Sequence, residues 1–199
     1  MKLDLRFLNR HIEDLWCQAI VLLVFKEPNI LTGVLSTLNY KLGGSLGGIL
    51  GAGLWTGERG ENFLLATQDA IRADKLLMRG VGPDRTFGIE VLIKEISETA
   101  SVLDRMGISE FGINIPPAEG RDNEYGLYLE MATAYMVETF YNNHKDDPDF
   151  LLKIFFSVEK DFIIVLDPVI DRIKENMRPG LEFSIISDRQ IKKDYEEAM

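Results

Sequence analysis

Eight of the chain's 17 glycines fall within KLGGSLGGILGAGLWTGERG, residues 41–60. Glycine lets a backbone approach a phosphate closely and turn its amides toward it, and it equally lets two backbone segments pack without side chains between them. The stretch therefore has two readings, a phosphate cradle and close packing, and a lone glycine run favours packing. The other residues able to do chemistry are sparse. His11 and His144 lie far apart without zinc-pair spacing and read as surface side chains. Cys17, the only cysteine, excludes an internal disulfide and borders an apolar run, which predicts a small buried side chain rather than an activated thiol. HKDDPD at 144–149 lacks the ligand alternation of a calcium loop and reads as a turn before a strand. No catalytic residue, metal or cofactor is expected.

The composition narrows the partners. With 22 Lys plus Arg against 32 Asp plus Glu, the net charge is -10, which opposes nucleic acid and acidic membranes. At 199 residues and 46% hydrophobic, the chain suits one folded domain, placed at 1–186, followed by a charged tail at 187–199. The N-terminus MKLDLRFLNRHIEDLW is too interrupted by charge for a signal peptide, and the longest apolar run, AIVLLVF at 19–25, is too short to span a bilayer. A cytoplasmic protein is expected.

Strands and helices alternate. QAIVLLVF shows no polar alternation, which predicts a strand covered on both faces. A helix follows over ILTGVLSTLNYKL, then strands over ENFLLAT and KLLMRGVG. Residues 86–107 place Ile89, Leu92, Ile93, Ile96, Ala100, Leu103 and Met106 on one helical face, with Thr86 as cap and Gly107 as stop. EFGINIPP is a strand, and AEGRDNEYG a polar turn into a helix from about Glu124 to Tyr141, with Leu129, Ala132, Met136 and Phe140 inward. Tyr128 and Tyr135 on its other face are candidates to meet a second subunit. FLLKIFFSVE and LEFSIISD close as strands around a helix that restarts at Asp167-Pro168, with Asp167 as cap.

Taken in order, QAIVLLVFKEPNI, GILGAGLWTGERGENFLLAT, KLLMRGVG, the long helix and FGINIPP resemble the N-terminal domain of the leucyl aminopeptidase family over roughly residues 12–177. The most specific pieces are GLWTGERGE and LLMRGVG. The resemblance implies a three-layer α/β/α, macro-domain-like fold with a mixed central sheet. In that family two metal ions activate water, held by a lysine, aspartates and a glutamate of a C-terminal domain that this sequence does not include. AEGR at 118–121 repeats part of the metal signature without the Asn and Asp that precede it, and reads as a solvated turn.

Macro domains hold the diphosphate of ADP-ribose on the amides of two glycine-containing loops. The resemblance thus assigns candidate phosphate contacts to Gly43, Gly44, Ser45, Gly47 and Gly48 in a first loop, and to Glu119, Gly120, Arg121 and Asn123 in a second. Two features depart from that pattern. AIVLLVF lacks the asparagines that address the distal ribose, and the adenine-binding aspartate has only offset stand-ins, Glu13 and Asp14, which read as capping or solvated. The leading expectation is a stand-alone, non-catalytic binding or regulatory module. The alternatives are a protein binding or hydrolysing a nucleotide or ADP-ribose derivative, and an assembly subunit docking onto a separate aminopeptidase chain; a homo-oligomer is the further partner candidate.

Overall fold

The computed structural model describes residues 1–27 and 31–188. Seven strands form one sheet: β1 (Lys2–Leu8), β2 (Ala19–Phe25), β3 (Asn62–Ala66), β4 (Lys75–Gly82), β5 (Glu110–Asn114), β6 (Leu151–Ser157) and β7 (Glu182–Ser187). Their order is β3-β4-β2-β5-β6-β1-β7. Only β3 runs antiparallel to its neighbour, so the sheet is mixed. Among the described residues five helices cover it: α1 (Gly33–Lys41), α2 (Ser45–Gly51), α3 (Ile89–Arg105), α4 (Tyr125–His144) and α5 (Leu166–Asn176).

The apolar run of β2 explains the layering. Ala19, Val21 and Leu23 enter the core shared with α3, α4 and α5, whereas Ile20, Leu22 and Val24 enter the core shared with α1 and α2. Alternate side chains of a strand point to opposite faces, so a strand apolar at every position needs helices on both. The expected three-layer α/β/α arrangement is the one observed. β1 was not anticipated, although MKLDLRFL alternates cleanly: Leu3, Leu5 and Phe7 are buried and pair the strand between β6 and β7.

Several expectations need correction. Thr86 does not cap α3; it closes a 3-10 turn, Asp84–Thr86, and its hydroxyl donates to the Pro83 carbonyl at 2.9 Å. Gly107 does end that helix, at φ +67, with the Ile108 amide reaching the Leu103 carbonyl. Helix α4 runs three residues beyond Tyr141. Helix α5 has Val165 at its N-cap, so Asp167 lies inside the first turn and Pro168 third, where no intrahelical donor is lost. Tyr128 does not face outward; it is buried and donates to Glu124 Oε2 at 2.6 Å. Tyr135 packs half-buried on the larger core. Ser187 ends β7, and residues 189–199 of the charged tail lie outside the described residues.

Candidate functional site

A cleft of about 1210 Å³ opens at the carboxyl ends of the central strands. Open parallel sheets form ligand crevices at this edge, where successive connections diverge to either side. Here β2 lies between β4 and β5, and each strand contributes its following loop. Lys26 and Glu27 follow β2, Pro83, Asp84 and Arg85 follow β4, and Glu119 and Arg121 follow β5. Leu31, Gly47, Leu50, Gly51, Trp55 and Thr56 complete the wall.

Hydrogen bonds build these loops into one unit. Arg121 donates to the carbonyl oxygens of Phe87 and Asp84 and stands 3.3 Å from Asp84 Oδ1, while Asp84 Oδ2 accepts the Glu119 amide at 3.0 Å. The opposite wall depends on Gly80: a Cβ there would overlap the Glu58 carbonyl oxygen and lie 2.7 Å from the Gly57 carbonyl carbon. Gly57, at φ +79, meets Lys26 Cα at 3.2 Å in the same way. These two glycines bring the 55–61 loop onto β4 and β2. The loop then closes on Glu61, whose Oε2 accepts the Thr56 amide at 2.9 Å, the Thr56 hydroxyl at 3.0 Å and the Glu58 amide at 3.1 Å. Burial alone would raise the Glu61 pKa, but these donors outweigh it and hold the carboxyl below its ordinary range.

The charges of the lining cancel. Lys26, Arg85 and Arg121 stand against Glu27, Asp84 and Glu119. Lys26 is paired with Glu58, and Arg121 with Asp84. Trp55, 2% exposed, keeps its indole N–H without an acceptor among the described residues.

The two candidate loops are placed unequally. Of the first, only Gly47 lines the cleft; Gly43, Gly44, Ser45 and Gly48 do not. Helix α1 carries the chain away from the cleft for nine residues, roughly 13 Å. At its far end Lys41 pairs with Glu13 at 3.6 Å and Asp14 at 3.2 Å. Gly43 and Gly44 then turn the chain at φ +63 and +85, and a Cβ on either would meet nothing within 4 Å. Close packing is therefore not their role; they supply the left-handed turn between α1 and α2. Close packing falls instead to Gly57 and Gly80. Of the second loop, Glu119 and Arg121 line the cleft, whereas Gly120 and Asn123 do not.

The remaining candidates lie elsewhere. Glu13 is buried, not solvated, and with Asp14 lines a separate depression that shares no residue with the cleft. His11 is exposed as expected, but His144 is half-buried, stacked on Phe150 at 3.7 Å and 2.6 Å from Asp104 Oδ1. Cys17 is half-buried rather than buried, and desolvation pushes its thiol up to about 11. Among the described residues no group of three His, Cys, Asp or Glu is arranged to hold a metal. No helix among them is long and apolar enough to cross a membrane. The sequence missed Lys26, Glu27, Trp55, Asp84 and Arg85 as cleft residues, although QAIVLLVFKEPNI holds the first two and GLWTGERGE holds Trp55.

No family model matches the chain. Over 110 residues it is 31% identical to a probable cytosol aminopeptidase of Halorhodospira halophila, a match covering 53% of this chain and 21% of that protein. The match thus spans about a fifth of that relative's length. Among solved structures, a tomato leucine aminopeptidase mutant superposes with a TM-score of 0.67 at 9% identity, over 87% of this chain and 35% of that one. A Trypanosoma brucei macrodomain in complex with ADP-ribose gives 0.58 at 18% identity, over 82% and 68%. The chain has a macro-domain-like fold and is similar to the macro-like N-terminal domain of leucyl aminopeptidases.

Proposed function

We propose, from that similarity and from the cleft, that this chain is a cytoplasmic, non-catalytic macro-like module that acts by binding a small ligand at the carboxyl edge of its sheet. The observation that carries the reading is the cleft itself, assembled from the loops after β2, β4 and β5 and held open by hydrogen bonds between them. Its side chains support binding over chemistry. Arg121 and Asp84 engage each other, and Cys17, His11 and His144 all lie outside the lining. A nucleotide or ADP-ribose derivative is the ligand suggested by the macrodomain neighbour, but only one residue of the first candidate phosphate loop reaches the cleft.

Gly51 offers a clean test, because it lines the cleft and a Cβ on it would meet nothing within 4 Å. Thermal-shift and calorimetric titrations with ADP-ribose and with a Leu-Gly dipeptide, on wild type and Gly51→Trp, are the experiment. The reading expects at least one probe to bind wild type and to be weakened tenfold or more by the substitution. Failure of both probes, or binding indifferent to Gly51→Trp, would overturn it.

A second reading, assembly with another chain, is supported by the sheet edge. Among the described residues β3 has a partner on one side only, and Leu64 on that strand and Leu54 before it are exposed. Light scattering that finds a monomer at all concentrations, with no stable complex formed on adding an aminopeptidase catalytic chain, would refute it.

A further inference from the structure

Resting on the reading of the cleft as a binding site, we infer that its ligand is a small zwitterion, a molecule bearing both a carboxylate and an ammonium group as free amino acids and short peptides do. The argument begins with which charges are already engaged. Lys26 is held by Glu58, and Arg121 by the Asp84 carboxylate and by the carbonyl oxygens of Asp84 and Phe87. What remains in the lining is the exposed Arg85 guanidinium and the exposed carboxylates of Glu27 and Glu119, each side chain without a partner among the described residues.

A diphosphate would bring negative charge to a cleft whose lining sums to zero and whose free groups are one cation and two carboxylates. The chain's own charge of -10 adds to that opposition. A zwitterion adds no net charge and answers both signs. Its carboxylate matches the planar donor fork of Arg85, and its ammonium matches Glu119 or Glu27. Arg85 and Glu119 belong to the two loops that Asp84 joins through the Glu119 amide, so the free cation and one free carboxylate are set in a common frame. Leu31, Leu50 and Trp55 supply an apolar wall for the side chain of such a ligand.

Calorimetric titration of the full chain with Leu-Gly, its N-acetyl form, its C-terminal amide and ADP-ribose tests this, alongside Arg85→Gln and the double variant Glu27→Gln, Glu119→Gln. All three positions are exposed, and unchanged thermal midpoints would confirm that the variants fold. The expected result is that free Leu-Gly binds, that either cap weakens it at least tenfold, and that Arg85→Gln abolishes the difference between the free dipeptide and its C-terminal amide. Binding of ADP-ribose without Leu-Gly would overturn the zwitterion and leave the binding reading intact. Equal binding of capped and free peptide would also overturn it. Silence from all probes would remove both.

Discussion

Arg121 and Asp84 join the loops that follow β5 and β4: Arg121 Nη2 lies 2.9 Å from the Asp84 carbonyl oxygen and 3.3 Å from its Oδ1. Asp84 answers by accepting the Glu119 amide through its other carboxylate oxygen. One wall of the cleft is therefore fixed by a cation that holds backbone in place.

Arg121→Met keeps the length of the side chain and removes the donors. Because the guanidinium is partly solvated, the stability loss should be modest, about 1 kcal/mol. Ligand affinity should fall tenfold or more, since the loops lose their mutual register. Denaturant unfolding and titration of the same variant separate the two effects. A large stability loss with unchanged affinity would assign Arg121 to the fold alone.

Gly80 and Gly48 should respond oppositely to alanine. At Gly80 the added Cβ overlaps backbone of the 57–58 segment, which cannot rotate away, so a loss of about 3 kcal/mol is expected. At Gly48, inside α2 and facing open space, Gly→Ala should stabilise by about 0.5–1 kcal/mol. Equilibrium urea unfolding checks both, and a destabilised Gly48→Ala would restore the close-packing reading of the glycine run.

Glu61 makes the cleft acid-sensitive. Its pKa is lower folded than unfolded, so its contribution is present in full above the ordinary glutamate pKa of about 4.3 and is lost as pH falls through the lowered folded value. Glu61→Gln should be less stable than wild type at pH 6, and the gap should close on acidification. A gap that stays constant between pH 6 and pH 3 would contradict the carboxylate's role.

Cys17 should be a sluggish thiol. With its pKa at about 11, the thiolate fraction at pH 8 is roughly a hundredth of that of an ordinary cysteine, and alkylation should slow in proportion. The same shift has a stability consequence of definite sign: the raised folded pKa keeps its contribution whole below the unfolded value and loses it as pH rises toward 11. Iodoacetamide kinetics on folded and unfolded chain measure the first effect directly.

The fold was largely legible because its signals are local. AIVLLVF, NFLLA and KLLMRGVG are short apolar runs between breakers, and the period of Leu92, Ile96, Ala100 and Leu103 admits only a helix. The site was less so. Gly43 and Gly44 look identical in sequence whether they face a phosphate or turn a corner, and only the path of α1 shows that they turn one at its far end. Arg85 and Glu119 lie 34 positions apart in the sequence, and what unites them is the adjacency of loops across β2, a tertiary fact with no local pattern. Thr86 failed as a cap for a related reason: Asp84–Thr86 folds as its own turn, so α3 starts later, at Ile89.

The most direct test of where this protein binds is a two-dimensional amide NMR titration of the 22.6 kDa chain with Leu-Gly and, separately, with ADP-ribose. Shifts should gather on Thr56, Asp84, Arg85, Glu119 and Arg121 with the dipeptide, leaving Gly43, Gly44 and Ser45 unmoved. Shifts centred on Gly43 to Ser45 with either probe, and none at the cleft, would contradict the assignment of the cleft as the site.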